Sequence, residues 1–354
     1  MKDTIVTTLP IKPQENIKVG MTLAPLMTEV IGKTTNSYNC FSFNLFNTYD
    51  DKDNYLKKYL NTLEINYGIT TTQKSFIDKE NIDVLLNCIE ELIKNGKIII
   101  KSGNVKRCDC GRVDMVTDGI KNYEEGVLYL KKDHKLFCKE CGSECKSYME
   151  KGLYLHLDKK IDDKLNIFPT YFNNALHSLE SQFRGIDYLI SKKRDTGYYI
   201  FINGEKFNID VDSLWMNYIN VLDYDSQIII ASNHQLFEMY LINYLNKLYK
   251  NKNIYFIATP YLSNPNKIEV EEEFNNISQI QKKLILLYTL KWKGANSNFE
   301  YSIIKKIKKL DENKLNDLYA ELVKGYDNDL KIDEIIKDTL INRMNFQKSL
   351  KKVK

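Results

Sequence analysis

Five of the seven cysteines fall between positions 108 and 145, as Cys108-Asp-Cys110-Gly111, Cys138-Lys-Glu-Cys141-Gly142 and Cys145. Thiolates are soft ligands, and two short cysteine turns facing one another supply the corners of a tetrahedron around Zn²⁺. A glycine after the second cysteine of each turn lets the backbone fold round the metal with amide groups turned toward sulfur. Cys108, Cys110, Cys138 and Cys141 are therefore the expected ligands, with Cys145 as a substitute for one of them. A closed four-cysteine site keeps no position for substrate, so this metal would stabilise the segment that holds it. His234 and Glu238 are the other pair whose spacing can do chemistry. Four residues apart on an expected helix, they share a face and can share a proton, or form a plain surface hydrogen bond. His156, in Leu-His-Leu, reads as a satisfied strand histidine, and Trp215 and Trp292 as core residues.

The elements that must position these groups alternate in kind. Residues 4–10 read as a buried strand closed by Pro10, and 39–48 as a second buried strand ending in the acidic turn Tyr49-Asp50-Asp51. Helical periodicity covers 51–66 and 80–96, where Leu85, Leu86, Ile89, Leu92 and Ile93 form one apolar stripe. Strand, crossover and strand in so short a stretch imply a parallel α/β sheet. From 106 to 149 the texture changes to short segments rich in cysteine and glycine, an inserted module. The α/β texture then resumes: a helix at 169–183, a hairpin of 197–202 and 205–209 across Asn203-Gly204, a strand at 227–231, a helix at 236–250 and a strand at 254–259. From 277 onward the sequence is almost wholly helical and ends in a basic tail.

Composition bounds the function classes. The chain has 354 residues, 43% of them hydrophobic, enough for a full core and about two domains. Its net charge of +4, from 51 basic and 47 acidic residues, is too balanced for a protein that grips a nucleic-acid backbone over a wide surface, though a local basic patch stays open. No stretch approaches the ~18 uninterrupted apolar residues of a membrane span. Neither a signal-peptide pattern nor a disulfide framework is evident, and clustered thiols held for a metal point to the cytoplasm.

Taken in order, these features resemble the class I aminoacyl-tRNA synthetases, closest to methionyl-tRNA synthetase, from about Thr4 to about Asn328. Thr8-Leu9-Pro10 matches the family's strand end, and Ile17-Lys18-Val19-Gly20-Met21 stands where its HIGH signature lies. Lys18 and Met21 replace both histidines, which in the family contact ATP and stabilise the transition state of adenylation. Asn47-Thr48-Tyr49-Asp50-Asp51 resembles the Gly-Thr-Asp-Glu-His turn, and the cysteine insert lies where the family carries its zinc-bearing connective module. Ile190–Gly197 resembles the Ile-Ser-Arg…Trp-Gly segment, with Thr196 for the tryptophan. Asp210-Val211-Asp212-Ser213-Leu214 resembles Trp-Phe-Asp-Ala-Leu. Ala231–Glu238 stands where the family has Gly-Lys-Asp…Phe-His, with Phe237 kept and Glu238 in place of the histidine. Lys267 and Ile268 match the first letters of the second signature, KMSKS, but Glu269, Glu271 and Glu272 surround them.

The resemblance implies a Rossmann-like class I catalytic-type domain over 1–105 and 151–276, a zinc knuckle over 106–150 and a truncated anticodon-binding-like helical domain over 277–354. It implies nucleotide contacts at Pro10, Lys18, Gly20 and Lys267, and substrate contacts at Asp50, Asp212 and Phe237. Gly20 would let a base or phosphate approach the backbone. Lys18 reads as a phosphate ligand or a solvated loop lysine, and Asp50 as an amino-group ligand or a turn residue. Lys18, Asp50, His234 and Glu238 are the candidate catalytic groups. Losing both signature histidines and the second lysine of KMSKS, which in the family stabilises the pyrophosphate leaving group, removes the clamp on triphosphate, and one such group is worth roughly 3–4 kcal/mol. ATP stays a candidate ligand, but ordinary adenylation is not expected. The functional expectation is a degenerate synthetase paralogue repurposed for aminoacyl or aminoacyl-tRNA recognition or transfer. The alternatives are a non-catalytic subunit with a protein partner, and a divergent active methionine–tRNA ligase.

Overall fold

A computed structural model of the chain describes residues 4–45, 52–110, 114–116, 129–157, 165–192, 198–209, 222, 224–249, 252–262, 268–290, 296–297, 301–326 and 330–351. The elements that position the site are, in chain order, β1 (Thr4–Thr8), α1 (Leu23–Thr34), β2 (Tyr38–Cys40), α2 (Ile82–Lys94), β3 (Ile98–Arg107), β4 (Lys146–His156), β5 (Asn166–Phe168), α3 (Phe172–Phe183), β6 (Asp187–Leu189), β7 (Ser226–Ser232), α4 (Leu236–Tyr249), β8 (Asn253–Thr259), α5 (Gln279–Thr289), α6 (Glu312–Val323) and α7 (Ile332–Lys351).

The expected parallel sheet is present, with strand order β5-β8-β7-β1-β2 and every described pairing parallel. Its strands are near-continuous runs of buried residues because helices cover both faces. Side-chain alternation sorts them. Val6, Ile228, Ile230 and Ile257 point into one core with α1, while Ile229, Ala231, Phe256 and Ala258 point into another with α3 and α4. The chain leaves β1 through α1 to β2 on one side, and returns at β7 on the other side of β1. The switch of direction thus lies between β1 and β7.

The amphipathic stripe read in 80–96 becomes α2, with Leu85, Ile89 and Leu92 buried. The turn at Asn203-Gly204 closes the hairpin Tyr198–Ile202 with Glu205–Ile209, and both turn residues take positive φ, 52° and 81°. That is the backbone the Asn-Gly pair suits. The expected long second strand is instead two short ones, Tyr38–Cys40 and Ser42–Phe43, and its remainder from 46 to 48 lies outside the described residues. The cysteine module rides on an antiparallel hairpin in which β3 pairs β4 from Ile98↔Leu155 to Arg107↔Lys146. The change of texture at 106 therefore falls inside this hairpin.

The C-terminal helices do not build their own core. Leu284, Leu286 and Leu287 of α5, Leu315 and Leu322 of α6, and Ile336 and Leu340 of α7 share one buried cluster with Leu23, Leu26, Met27 and Val30 of α1. A buried charge cluster pins the same contact. Glu29 of α1, 1% exposed, accepts hydrogen bonds from Lys283 Nζ at 2.9 and 3.0 Å and from Tyr319 Oη at 2.9 Å, and pairs with Lys33. Burial lowers the Lys283 pKa, and the Glu29 carboxylate opposes that shift. No helix among the described residues is long and apolar enough to cross a membrane.

Candidate functional site

Two places gather chemistry. In the cysteine module, the hairpin Tyr129–Lys132 with Lys135–Cys138 turns one cysteine pair toward the other. The sulfurs of Cys108, Cys110, Cys138 and Cys141 all lie within 4.8 Å of one another, with Cys108 to Cys110 at 3.4 Å and Cys110 to Cys138 at 3.7 Å. Four sulfurs at ~2.3 Å from a tetrahedral zinc stand roughly 3.8 Å apart, so the set fits a metal ion. The backbone N–H of Glu140 donates to Cys138 Sγ at 3.4 Å, and Ser143 Oγ lies 3.1 Å from Cys141 Sγ. The hydroxyl of Ser143, ahead of its backbone, draws the Cys141 thiol down to about 6, which favours the ligating thiolate. Gly142 makes the turn with φ +70°. Cys145 stands outside the set of four, buried with Cys108, Cys138 and Tyr129, and burial above all pushes its thiol up to about 11.

The second place is a cleft of about 550 Å³ over the carboxyl ends of β1, β7 and β8. Ligands of open α/β sheets sit at such a switch point. Leu9, Pro10, Ile11 and Lys12 follow β1; Lys18, Gly20, Met21 and Ala24 lead into α1; Ser232, His234 and Gln235 follow β7; Thr259, Pro260 and Leu262 follow β8. The charged and titratable groups among the described lining residues are Lys12, Lys18 and His234, with no carboxylate. The formal side-chain charge of the described lining residues is therefore positive.

The wall facing α1 explains Gly20 in a way the sequence did not. A Cβ there would stand 2.7 Å from the Leu262 carbonyl oxygen, so the glycine admits a neighbouring strand of the same chain. Leu262 in turn pairs with Ser297. The segment that leads into α1 thus touches the strand end that follows β8 directly, at Gly20 and Leu262.

At the end of β7, Ser232 caps the helical turn Asn233–Gln235 that runs into α4, and its own N–H donates to Gln235 Oε1 at 3.1 Å. His234 Nδ1 lies 2.8 Å from Ser232 Oγ. His234 lines the cleft and is exposed, and partial desolvation lowers its pKa from the usual histidine value, favouring the neutral ring.

Of the residues singled out beforehand, Pro10, Lys18, Gly20 and His234 come together in this cleft. Glu238 lies one turn further along α4 and is not among the lining residues. Phe237, expected against substrate, is a core residue, 4% exposed, its ring 4.3 Å from Phe183 and 5.2 Å from Tyr188. Its apolar ring is better satisfied there than beside a lining of cations. Asp50, Asp212 and Lys267 lie outside the described residues. His156 is the satisfied histidine expected, its Nδ1 on Asp187. Lys12, Gln14, Ser232, Gln235 and Thr259 line the cleft and were missed. Ser232 carried a readable signal, Ser-x-x-Gln before an apolar helix, the pattern of a capping box.

This is the fold of the class I aminoacyl-tRNA synthetases. The chain is similar to methionyl-tRNA synthetase of Mycobacterium tuberculosis bound by methionyl-adenylate, at 12% identity and a TM-score of 0.66 over 91% of this chain and 71% of that one. The apo form of the same enzyme gives 12% identity and 0.68 over 99% and 79%. The Agrobacterium radiobacter K84 agnB2 LeuRS, in its ternary complex with tRNA and LeuAMS, gives 7% identity and 0.60 over 91% and 72%. No protein-family model matches the sequence, and no curated protein is similar to it in sequence.

Proposed function

We propose that this chain is a synthetase-like protein of methionyl type that has lost ATP-dependent adenylation and recognises or transfers an aminoacyl group. The observation that carries this reading is the cleft wall. A class I crevice with a cationic lining persists, yet Lys18 and Met21 stand where the resemblance puts the two signature histidines. An anion-seeking crevice without the transition-state clamp suits an already activated amino acid better than the making of one.

In this reading the four cysteines hold zinc, which supplies no chemistry to the cleft and ties the hairpin together. Lys18, with Lys267 where the second signature would fall, contacts phosphate, and Asp50 and Asp212 contact the amino acid. The protein works in the cytoplasm on aminoacyl-tRNA, alone or with a protein partner. The test is amino-acid-dependent exchange of pyrophosphate into ATP by the purified chain, with each amino acid in turn. No exchange is expected, and robust methionine-dependent exchange overturns the loss of adenylation. Charged tRNA retained through purification is the second expected result.

A further inference from the structure

We infer that Ser232 is an acyl-accepting nucleophile with His234 as its base, taking the acyl group from an ester or anhydride whose leaving group carries phosphate. This deepens the aminoacyl reading above and rests on it for the donor. Three observations converge. Ser232 Oγ and His234 Nδ1 are 2.8 Å apart, within the reach of a nucleophile–base pair. Both side chains line the 550 Å³ cleft, at the end of β7 where a ligand of this sheet architecture sits. Lys12 and Lys18 line the same cleft, where an ammonium can meet a phosphate.

A structural role accounts for part of this, since Ser232 caps the helical turn that follows. Capping alone asks nothing of His234. Partial desolvation favours the neutral imidazole, the form that accepts a proton.

The step balances without a co-reactant. Ser232 Oγ bonds to the carbonyl carbon as its proton passes to His234 Nδ1. The bond from that carbon to the leaving oxygen breaks, and the leaving oxygen takes the proton from the imidazolium. An acyl-serine and a free hydroxyl or phosphate remain, and an incoming amine or water discharges the ester through the same imidazole.

The experiment incubates the full chain with total tRNA charged with radiolabelled amino acids, quenches in acid and maps the label. The expected result is an alkali-labile label on the peptide holding Ser232, abolished in Ser232→Ala and slowed roughly 10²–10⁴-fold in His234→Ala, the range for a positioned base. Ser232→Asn is the folding control, because asparagine also caps helices: it should melt with the wild type and take no label. Label at the wild-type rate in either serine variant overturns the proposal, as does wild type that binds charged tRNA and takes none. A fluorophosphonate arm needs no tRNA: Ser232 Oγ bonds to phosphorus, fluoride leaves and His234 takes the proton. Absence of a Ser232 adduct there overturns the pair whatever tRNA does. An adduct without retention of charged tRNA keeps the pair and removes the aminoacyl donor.

Discussion

The cysteine module and the cleft solve opposite problems with polar groups. In the module four thiols face one another and their neighbours, Glu140 N–H and Ser143 Oγ, turn toward the same sulfurs. In the cleft Lys12, Lys18 and His234 line about 550 Å³ of open space. A set of groups that satisfies itself is stabilising and reads as structural. Polar side chains that line a cleft at the carboxyl ends of parallel strands stand where a ligand of such a sheet sits, and read as functional. The Glu29–Lys283–Tyr319 cluster belongs with the module on this scale, closed and buried, and the Asp187–His156–Lys101 cluster lies between the two.

The largest effect should come from opening the module. A metal bound by four thiolates contributes roughly 10–16 kcal/mol in isolated zinc-finger peptides at neutral pH. Chelation, or Cys138→Ser, should release about one equivalent of zinc. It should also raise hydrogen exchange through Tyr129–Lys132 and Lys135–Cys138 while β7 and β8 stay protected, since their cores are separate. Purified protein with under about half an equivalent of zinc would break the comparison at its firmer end.

Next is the closed cluster. Glu29→Gln leaves Lys283 and Lys33 without a counter-charge in a site where Glu29 is 1% exposed and the Lys283 side chain 8%. Removing one partner of a buried pair costs about 3–5 kcal/mol, read as a lower denaturation midpoint. The double variant Glu29→Gln, Lys283→Met should recover much of that, because the stranded charge goes with its partner. The open cleft should behave in the contrary way. Lys18→Ala should leave the melting temperature within about a degree, as a surface change does. On the proposed phosphate contact, it should weaken any adenosine monophosphate binding, measured by calorimetry, by about tenfold, ~1.4 kcal/mol. Unchanged binding would make Lys18 a solvated loop lysine.

What was legible in the sequence follows the same division. The cysteine pairs, the Asn203-Gly204 hairpin and the stripe Leu85, Ile89, Leu92 each depend on residues close in sequence, and local physics fixes them. The order of strands and helices was likewise readable, and with it the place of the cleft. Gly20 was readable as a position of close approach, but its neighbour Leu262 was not, because only the tertiary fold brings it near. No local pattern marks Glu29, because its partner Lys283 lies 254 residues away. Ser232 was passed over because His234 drew attention forward along the helix to Glu238, while its hydrogen bond at Nδ1 runs back to the strand end.

The smallest effect tests the intermediate case. Asp187 on β6 is partly desolvated, which by itself would raise its pKa, but the Lys101 ammonium and the His156 ring outweigh burial and hold it below its ordinary value of 3.8. A carboxyl held lower in the folded than in the unfolded chain binds fewer protons when folded, so it stabilises above the unfolded value. That contribution should be fully present above about pH 5, and should fade as pH drops below 3.8 toward the folded value. Asp187→Asn should therefore melt below the wild type at pH 6, by ~1 kcal/mol or less given its partial exposure, with the gap narrowing as the pH falls to 3. Salt should shrink the gap at pH 6 as well, because Lys101 and His156 are half-open to water. A gap that holds constant with pH would mean that packing, and not the charge of Asp187, joins β6 to the hairpin, placing this cluster with the closed sites.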